Sequence, residues 1–485
     1  MSTILKTQKH GISAPLLGCS VLIADRNPSA QKPLKDELNS LGVRNIDVAS
    51  DVPDLMRSSA RGYDFIFVDS LLSDKRSTSS ILEELAKIKR PKKEVVFVIS
   101  NDRSSSFLQS LIEYEPDDYI IKPYSTEDLS RKITRAAQKR KALSIVEGLI
   151  ASRKFDEAVE TSDRMAEEFP QYKREFFKKK VESLVAADAL PKAEALIRKQ
   201  ITEKSHPWME VLLAQILIGR DEFSEAESWL RKSTSTIPEY TKSADALSIL
   251  LYSTDKVEEA YFTLDSLGMQ AHSSVARLRF MSGLAGLLGK GQEEKSLLQK
   301  AIDRAGHGAL ACESDYHRMA SIFVDESRPE DAINCVSAIK LFAEAADLEH
   351  AAPVVRVKAA LKEGAEGKAR EALFGLLRKI DSRGWALRPG SAYAIAEVCL
   401  PLGKEDAAMK LLVATDCSSA DFWLVEKMES LKEKLALAIK EKAEASRLND
   451  ESESITSKPV MHARGSRVDG DLAVRAKGIL SEPAE

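Results

Sequence analysis

Four polar residues stand at the ends of apolar runs near the start of this chain: Asp25, Asp69, Ser100 and Lys122. Two carboxylates brought together can hold a hard divalent cation through oxygen. A hydroxyl and an ammonium beside them can hold two oxygens of a phosphoryl group carried on one of the acids. Phosphoryl capture on a carboxylate is the chemistry such a set would serve, and Asp69 is the first acceptor to test.

The elements that must position these residues read as alternating strands and helices. Val21-Leu22-Ile23-Ala24 is a first strand, followed by a helix with Leu34, Leu38 and Leu41 at helical spacing that stops at Gly42. Ile46-Asp47-Val48 is a short second strand, and Val52 to Ala60 a second helix. Tyr63-Asp64-Phe65-Ile66-Phe67-Val68-Asp69 holds a third, continuous and β-rich as a strand buried on both faces would be. A helix through Ile81, Leu82, Leu85 and Ile88 leads to a fourth strand, Val95 to Ser100. A helix around Phe107–Ile112, a fifth strand Tyr119-Ile120-Ile121 and a helix from Glu127 complete the series. Five β/α units imply a doubly wound parallel sheet, whose C-terminal edge would gather all four residues. A cis Lys122-Pro123 bond would aim the lysine inward, an arrangement found in about one X-Pro bond in twenty.

With Tyr119 three residues before Lys122-Pro123, this ordered set resembles the receiver domain of response regulators, over about residues 18–140. The resemblance implies a flavodoxin-like fold in which Asp69 takes a phosphoryl group from a histidine kinase or phosphotransfer protein with Mg²⁺ present. Ser100 and Lys122 would contact the phosphoryl group, and Tyr119 would follow the switch. Asp25, Asp69 and the Leu71 backbone carbonyl would be the metal ligands. The sequence departs from that pattern at Arg26, where receivers carry a second acid, and at Leu72-Ser73, where they carry Met-Pro. A cation about 4 Å from another unit charge is worth about 4 kcal/mol at a surface-like dielectric, so Arg26 weakens the metal site unless it swings into solvent. Two readings follow: a receiver that is slow or weakly metal-dependent, or one that no longer takes phosphate. The presence of both Asp25 and Asp69 favours residual phosphorylation.

At 485 residues the chain is too long for one hydrophobic core. A net charge of −4 argues against nucleic acid as the main partner. The basic runs Lys89-Arg90-Pro91-Lys92-Lys93 and Lys178-Lys179-Lys180 read as solvated faces. Cys19, Cys312, Cys335, Cys399 and Cys417 show no metal-like spacing and fit reduced thiols in a cytoplasm. No apolar run approaches the roughly 18 residues of a membrane span, and no apolar core precedes Pro15 to form a secretory signal. A cytoplasmic protein with no DNA and no membrane insertion is the expectation.

Beyond about residue 127 the chain is helical and repeats. A small residue near the start of each second helix marks the period: Ala158, Ala193, Ala226, Ala260, Ala332, Ala369 and Ala408. The first steps are 35 (193−158), 33 (226−193) and 34 (260−226). The gap of 72 (332−260) fits two units, with a degenerate one around Lys295-Ser296. Phe155 and Phe223 precede their alanines by three residues, and Pro170 and Pro238 follow by twelve, where a proline ends the helix. A two-helix period near 34 residues is the signature of tetratricopeptide (TPR) repeats; about eight units fit between 140 and 420. Such helix pairs stack into a superhelical solenoid whose groove binds a peptide or partner helix. Trp208, Trp229 and Trp385 read as packing residues. Leu424 to Leu448 is an amphipathic helix, and the residues after it are poor in large apolar side chains.

The expected layout is an N-terminal arm (1–18), receiver (19–140), TPR-like repeats (141–420), C-terminal helix (421–448) and flexible tail (449–485). Together with strings such as Pro116-Asp117-Asp118-Tyr119-Ile120-Ile121-Lys122-Pro123 and Lys139-Arg140-Lys141-Ala142-Leu143, this order resembles bacterial response regulators that carry TPR repeats. That resemblance implies a two-component signalling adaptor in which phosphorylation of Asp69 modulates protein–protein contacts of the solenoid. The alternative is a phosphorylation-independent pseudo-receiver scaffold. No enzyme is expected beyond self-phosphorylation and autodephosphorylation at Asp69, and homodimerisation is compatible with either reading. Gly283, Gly286, Gly289 and Lys290 lack the order of a phosphate loop and read as helix packing and a turn. His206, His272, His307 and His317 show no metal spacing.

Overall fold

The structure is a computed structural model and describes residues 18–73, 76–88, 94–104, 107, 111, 114, 116–203, 205–343, 345–385, 387–418, 420 and 422–454. The N-terminal arm, the basic run 89–93, most of the expected helix 107–112 and the tail from 455 lie outside those residues. The described residues divide into two compact units, one up to residue 250 and the other from residue 251.

The first unit opens with a five-stranded sheet of β1 (Ser20–Ala24), β2 (Asn45–Ala49), β3 (Phe65–Asp69), β4 (Val95–Ser100) and β5 (Asp118–Ile121). All neighbours are parallel, in the order β2-β1-β3-β4-β5, the flavodoxin-like doubly wound order. Every residue of β3 is buried. Its alternating side chains feed two cores, as a strand covered on both faces must. Phe65 and Phe67 pack with Val21, Ile23, Phe97, Leu38 and Ile133, while Ile66 and Val68 pack with Leu22, Leu55, Ile81 and Leu85. The covering helices begin at side-chain caps that accept backbone N–H groups. Asn27 caps α1 (Pro28–Ser40), Asp51 caps α2 (Val52–Ser59), Ser77 caps α3 (Thr78–Lys87) and Ser125 caps α4 (Thr126–Ala151).

α4 runs without a break from the sheet into the helical array. Leu129, Ile133 and Ala136 belong to the sheet core, whereas Ala142, Leu143 and Val146 pack with Ala158, Met165 and Phe176. Eight helix pairs follow one another among the described residues. The second helices are Phe155–Glu168, Leu190–Glu203, Phe223–Thr236, Val257–Asp265, Gly291–Ala305, Pro329–Ser337, Glu366–Arg383 and Glu405–Ala414. The seven marker alanines are each the fourth residue of a second helix and are fully buried. In the fifth pair that position is Glu294, not the expected Lys295-Ser296. The carboxylate is accommodated because Gly286 stands opposite: a Cβ there would lie 2.7 Å from Glu294 Oε2. Burial raises the Glu294 carboxyl above its ordinary range, against the opposing pull of Arg318.

The turn inside each pair repeats more strictly than the alanine spacing. Two residues before every second helix stands one left-handed residue: Arg153, Asp188, Asp221, Asp255, Gly289, Ser327, Gly364 and Gly403. The next residue donates its N–H to the carbonyl five residues back at 2.8–3.0 Å, from Lys154 to Leu149 through to Lys404 to Cys399. This is the Schellman arrangement, which satisfies a carbonyl at the helix end. The C-terminal helix spans Phe422–Ser454 and so extends through 449–454, residues assigned above to the tail.

Candidate functional site

The sheet brings three of the predicted residues into direct contact. Asp25 follows β1, Asp69 closes β3 and Lys122 follows β5, all at the C-terminal edge. Lys122 Nζ lies 2.5 Å from Asp69 Oδ2 and 3.5 Å from Asp25 Oδ2. Both carboxylates are buried, at 7% and 5% exposure for Asp25 and Asp69. A carboxylate that leaves water needs partners for its lone pairs, and the backbone supplies the rest. The Asn27 N–H donates to Asp25 Oδ1 at 2.8 Å, and the Leu71 N–H to Asp69 Oδ1 at 2.8 Å. The Lys122-Pro123 peptide is cis.

The other predicted residues sit nearby but bond elsewhere. Ser100 is buried at the same edge, and its backbone carbonyl accepts the Lys122 N–H at 2.9 Å. Its Oγ accepts from Ser70 Oγ and from the Asp102 N–H, both at 2.9 Å. Tyr119 is 42% exposed and engages Lys132, whose Nζ lies 5.1 Å from the ring centroid and donates to the Tyr119 carbonyl. A second aromatic, Tyr124, which sequence reasoning passed over, lies within electrostatic reach of the carboxylates. Burial pushes its hydroxyl up to about 12, and the charges of Glu37, Asp25 and Asp69 add to that shift. Only its place just after Lys122-Pro123 could have flagged it. Arg26, directly after Asp25, is solvent-exposed.

A magnesium ion keeps several waters and needs only one or two protein carboxylates when phosphate oxygens complete its shell. Asp25 and Asp69 meet that minimum, and among the described residues no group of three His, Cys, Asp or Glu residues adds to it. The donor set therefore fits an ion that takes the rest of its shell from water and phosphate oxygens.

A second feature concerns the expected groove. Within the second unit, the first helices Glu313–Asp325 and Pro389–Cys399 pack directly on each other. The Gly390 N–H donates to Glu313 Oε1 at 3.1 Å, and a Cβ at Gly390 would lie 2.5 Å from the Ser314 backbone nitrogen. The start of the C-terminal helix also reaches back to Val275–Leu287, where the Trp423 indole lies against Gly283. The chain thus packs against its own first helices here. Among the described residues, no helix is long and apolar enough to cross a membrane.

No protein-family profile matches the chain, and no curated protein matches it. Among solved structures, it is similar to a tetratricopeptide repeat protein from Parabacteroides merdae. That match has 11% identity and a TM-score of 0.38, covering 62% of this chain and 98% of the other. A structure of the APC/C hetero-tetramer Cut9–Hcn1 matches at 15% identity and TM-score 0.31, over 68% and 64% of the two chains. The assembly chaperone of RpL4 matches at 13% and 0.25, over 56% and 98%. Likenesses this distant carry no argument about function; the TPR-like character rests on the helix-pair period of the chain itself.

Proposed function

We propose that this chain is a phosphorylation-responsive adaptor, in which Asp69 accepts a phosphoryl group and the helix pairs bind a protein partner. The observation that carries the reading is the buried Asp69 carboxylate, with the Lys122 ammonium 2.5 Å away and Asp25 beside it at the sheet edge. A carboxylate oxygen of Asp69 would attack phosphorus while the bond to the donor's leaving group breaks; with acetyl phosphate, acetate departs. Lys122 is placed to trade its contact with Asp69 for a phosphoryl oxygen. Asp25, Asp69 and the Leu71 carbonyl would hold Mg²⁺, which when bound offsets the charge of the phosphoryl oxygens. A histidine kinase or phosphotransfer protein is the donor proposed on the receiver resemblance.

Incubation with Mg²⁺ and acetyl phosphate, followed by intact-mass measurement, tests the proposal. The wild type should gain one phosphoryl mass and Asp69→Asn none. If the wild type gains nothing while Arg26→Asp does, the switching reading fails and the pseudo-receiver scaffold takes its place. That second reading is favoured by one feature, the arginine standing where a second acid would hold the ion.

A further inference from the structure

The C-terminal helix does two separable jobs. Leu424, Met428, Leu431 and Leu435 are buried in one core with Ile395, Leu411 and Leu412 of the last pair, covering an apolar end that would otherwise face water. Phe422 and Trp423 lie outside that core. They reach an earlier part of the same unit, where Tyr252, Phe280, Gly283 and Arg318 form a pocket around them. Phe422 meets Phe280 edge-on at 5.6 Å between ring centroids, and Trp423 lies 5.7 Å from Tyr252 and 6.0 Å from Phe280. The Arg318 guanidinium stands 5.7 Å from the indole centroid and Lys427 Nζ 4.2 Å from it, both within cation–π range.

Gly283 shows that the pocket is shaped for a ring. It sits inside the helix Val275–Leu287, where glycine weakens the helix, and its φ is not positive, so no backbone need explains it. A Cβ at this position would fall within 2.6 Å of three indole carbons of Trp423. The missing side chain is the floor on which the indole rests.

We propose that this pocket is a docking site for a helix whose first turn carries an aromatic pair, with a basic residue one turn further on. Phe422, Trp423 and Lys427 occupy it in cis as a self-ligand, and a partner helix of the same chemistry displaces them. The inference rests on the interaction half of the adaptor reading and is independent of Asp69, so a partner captured elsewhere on the chain would leave that reading standing while this one fails.

The test titrates full-length protein with a fluorescent peptide of residues 420–437. Segments tethered to their own site compete at high effective concentration, so the wild type binds the peptide weakly. Phe422→Ala/Trp423→Ala, which removes the self-ligand, should bind at least tenfold tighter, and adding Gly283→Leu should abolish that gain. A peptide with Ala-Ala in place of Phe-Trp should not bind. Phe422→Ala alone, which keeps the indole in the pocket, serves if the double variant melts without cooperativity, and it should show a smaller gain. Equal affinity for wild type and both variants overturns the proposal. So does light scattering that shows a wild-type dimer with the peptide competing for its assembly, which would make a second copy the occupant.

Discussion

Replacing Gly283 with alanine sets two effects against each other. Inside Val275–Leu287 the added methyl raises helix propensity by about 1 kcal/mol. The same methyl would fall within 2.6 Å of three carbons of the buried Trp423 indole. A fused ring cannot bend aside, so either the helix shifts or the indole leaves. Overpacking of this kind costs about 1–3 kcal/mol, and losing the whole side chain's packing costs about 3–5 kcal/mol. The clash outweighs the gain: the net destabilisation should be up to about 2 kcal/mol if the helix shifts, and about 2–4 kcal/mol if the indole leaves.

Gly286, one turn on, gives the opposite expectation. The nearest atoms its added methyl would meet belong to the Glu294 carboxylate, the end of a flexible side chain that can rotate away. Gly286→Ala should therefore be neutral or stabilising by up to about 1 kcal/mol. Thermal melts followed by circular dichroism separate the two, since 1 kcal/mol moves the midpoint of a domain this large by about 2–4 °C. In a Trp423→Ala background the cost of Gly283→Ala should vanish, because the two residues share one contact. A Gly283→Ala protein that melts at or above the wild type, or that loses as much stability without the indole, refutes the packing argument.

Two further perturbations test single residues. His317 is buried; desolvation, assisted by Lys358, pushes its imidazole down to about 3 from an ordinary 6.5. As pH falls below 6.5 the unfolded chain binds a proton that the folded chain refuses until about 3, so stability drops across that window and is full above it. The expected slope is about 1.4 kcal/mol per pH unit at most. Urea midpoints at pH 7 and pH 5.5 should show the drop in wild type and a shallower one in His317→Gln; equal drops would remove His317 as the cause. Arg153 holds a left-handed φ of 58° in an exposed turn. That conformation costs a side-chain-bearing residue about 1–2 kcal/mol, and glycine gives back about half through its freer unfolded state. Arg153→Gly should raise stability by about 0.5–1 kcal/mol, and a lower melting midpoint would count against the turn assignment.

The sheet was legible because a parallel strand buried on both faces leaves a continuous apolar run, and β3 is such a run ending on Asp69. The position of the site followed from those strand ends. Which side chains meet did not, because that depends on rotamers and on turns after the strands. Ser100 faces Ser70, and Tyr124 feels the carboxylates. In the helical array the alanines were legible because close helix packing demands a small residue in sequence. The stricter marker, the left-handed turn, was hidden because Arg153, Asp188, Asp221, Asp255 and Ser327 occupy it in place of glycine. The amphipathic stripe of the C-terminal helix was visible from Leu424 onward. Its aromatic contact was not, since Tyr252, Phe280 and Gly283 lie far upstream and share no spacing with it.

The join between the sheet and the helix pairs bears on how the two halves of the proposed adaptor would communicate. α4 begins at the Ser125 cap, three residues after Lys122, and continues through 26 residues without a linker. Its first half lies in the sheet core and its second half in the core of the first pair. The Tyr172 hydroxyl donates to the Arg135 carbonyl at 3.1 Å, and Lys139 pairs with Glu175 at 3.2 Å. A helix of that length spans about 39 Å at 1.5 Å per residue and resists bending. If phosphorylation draws Lys122 toward a new partner, the adjoining start of α4 must either stay fixed, with the movement absorbed in the turn at Pro123 and Tyr124, or tilt and carry the first pair with it. In the pseudo-receiver reading the same helix is a fixed spacer. The two readings therefore differ not in architecture but in whether the contact between Lys122 and Asp69 is ever exchanged.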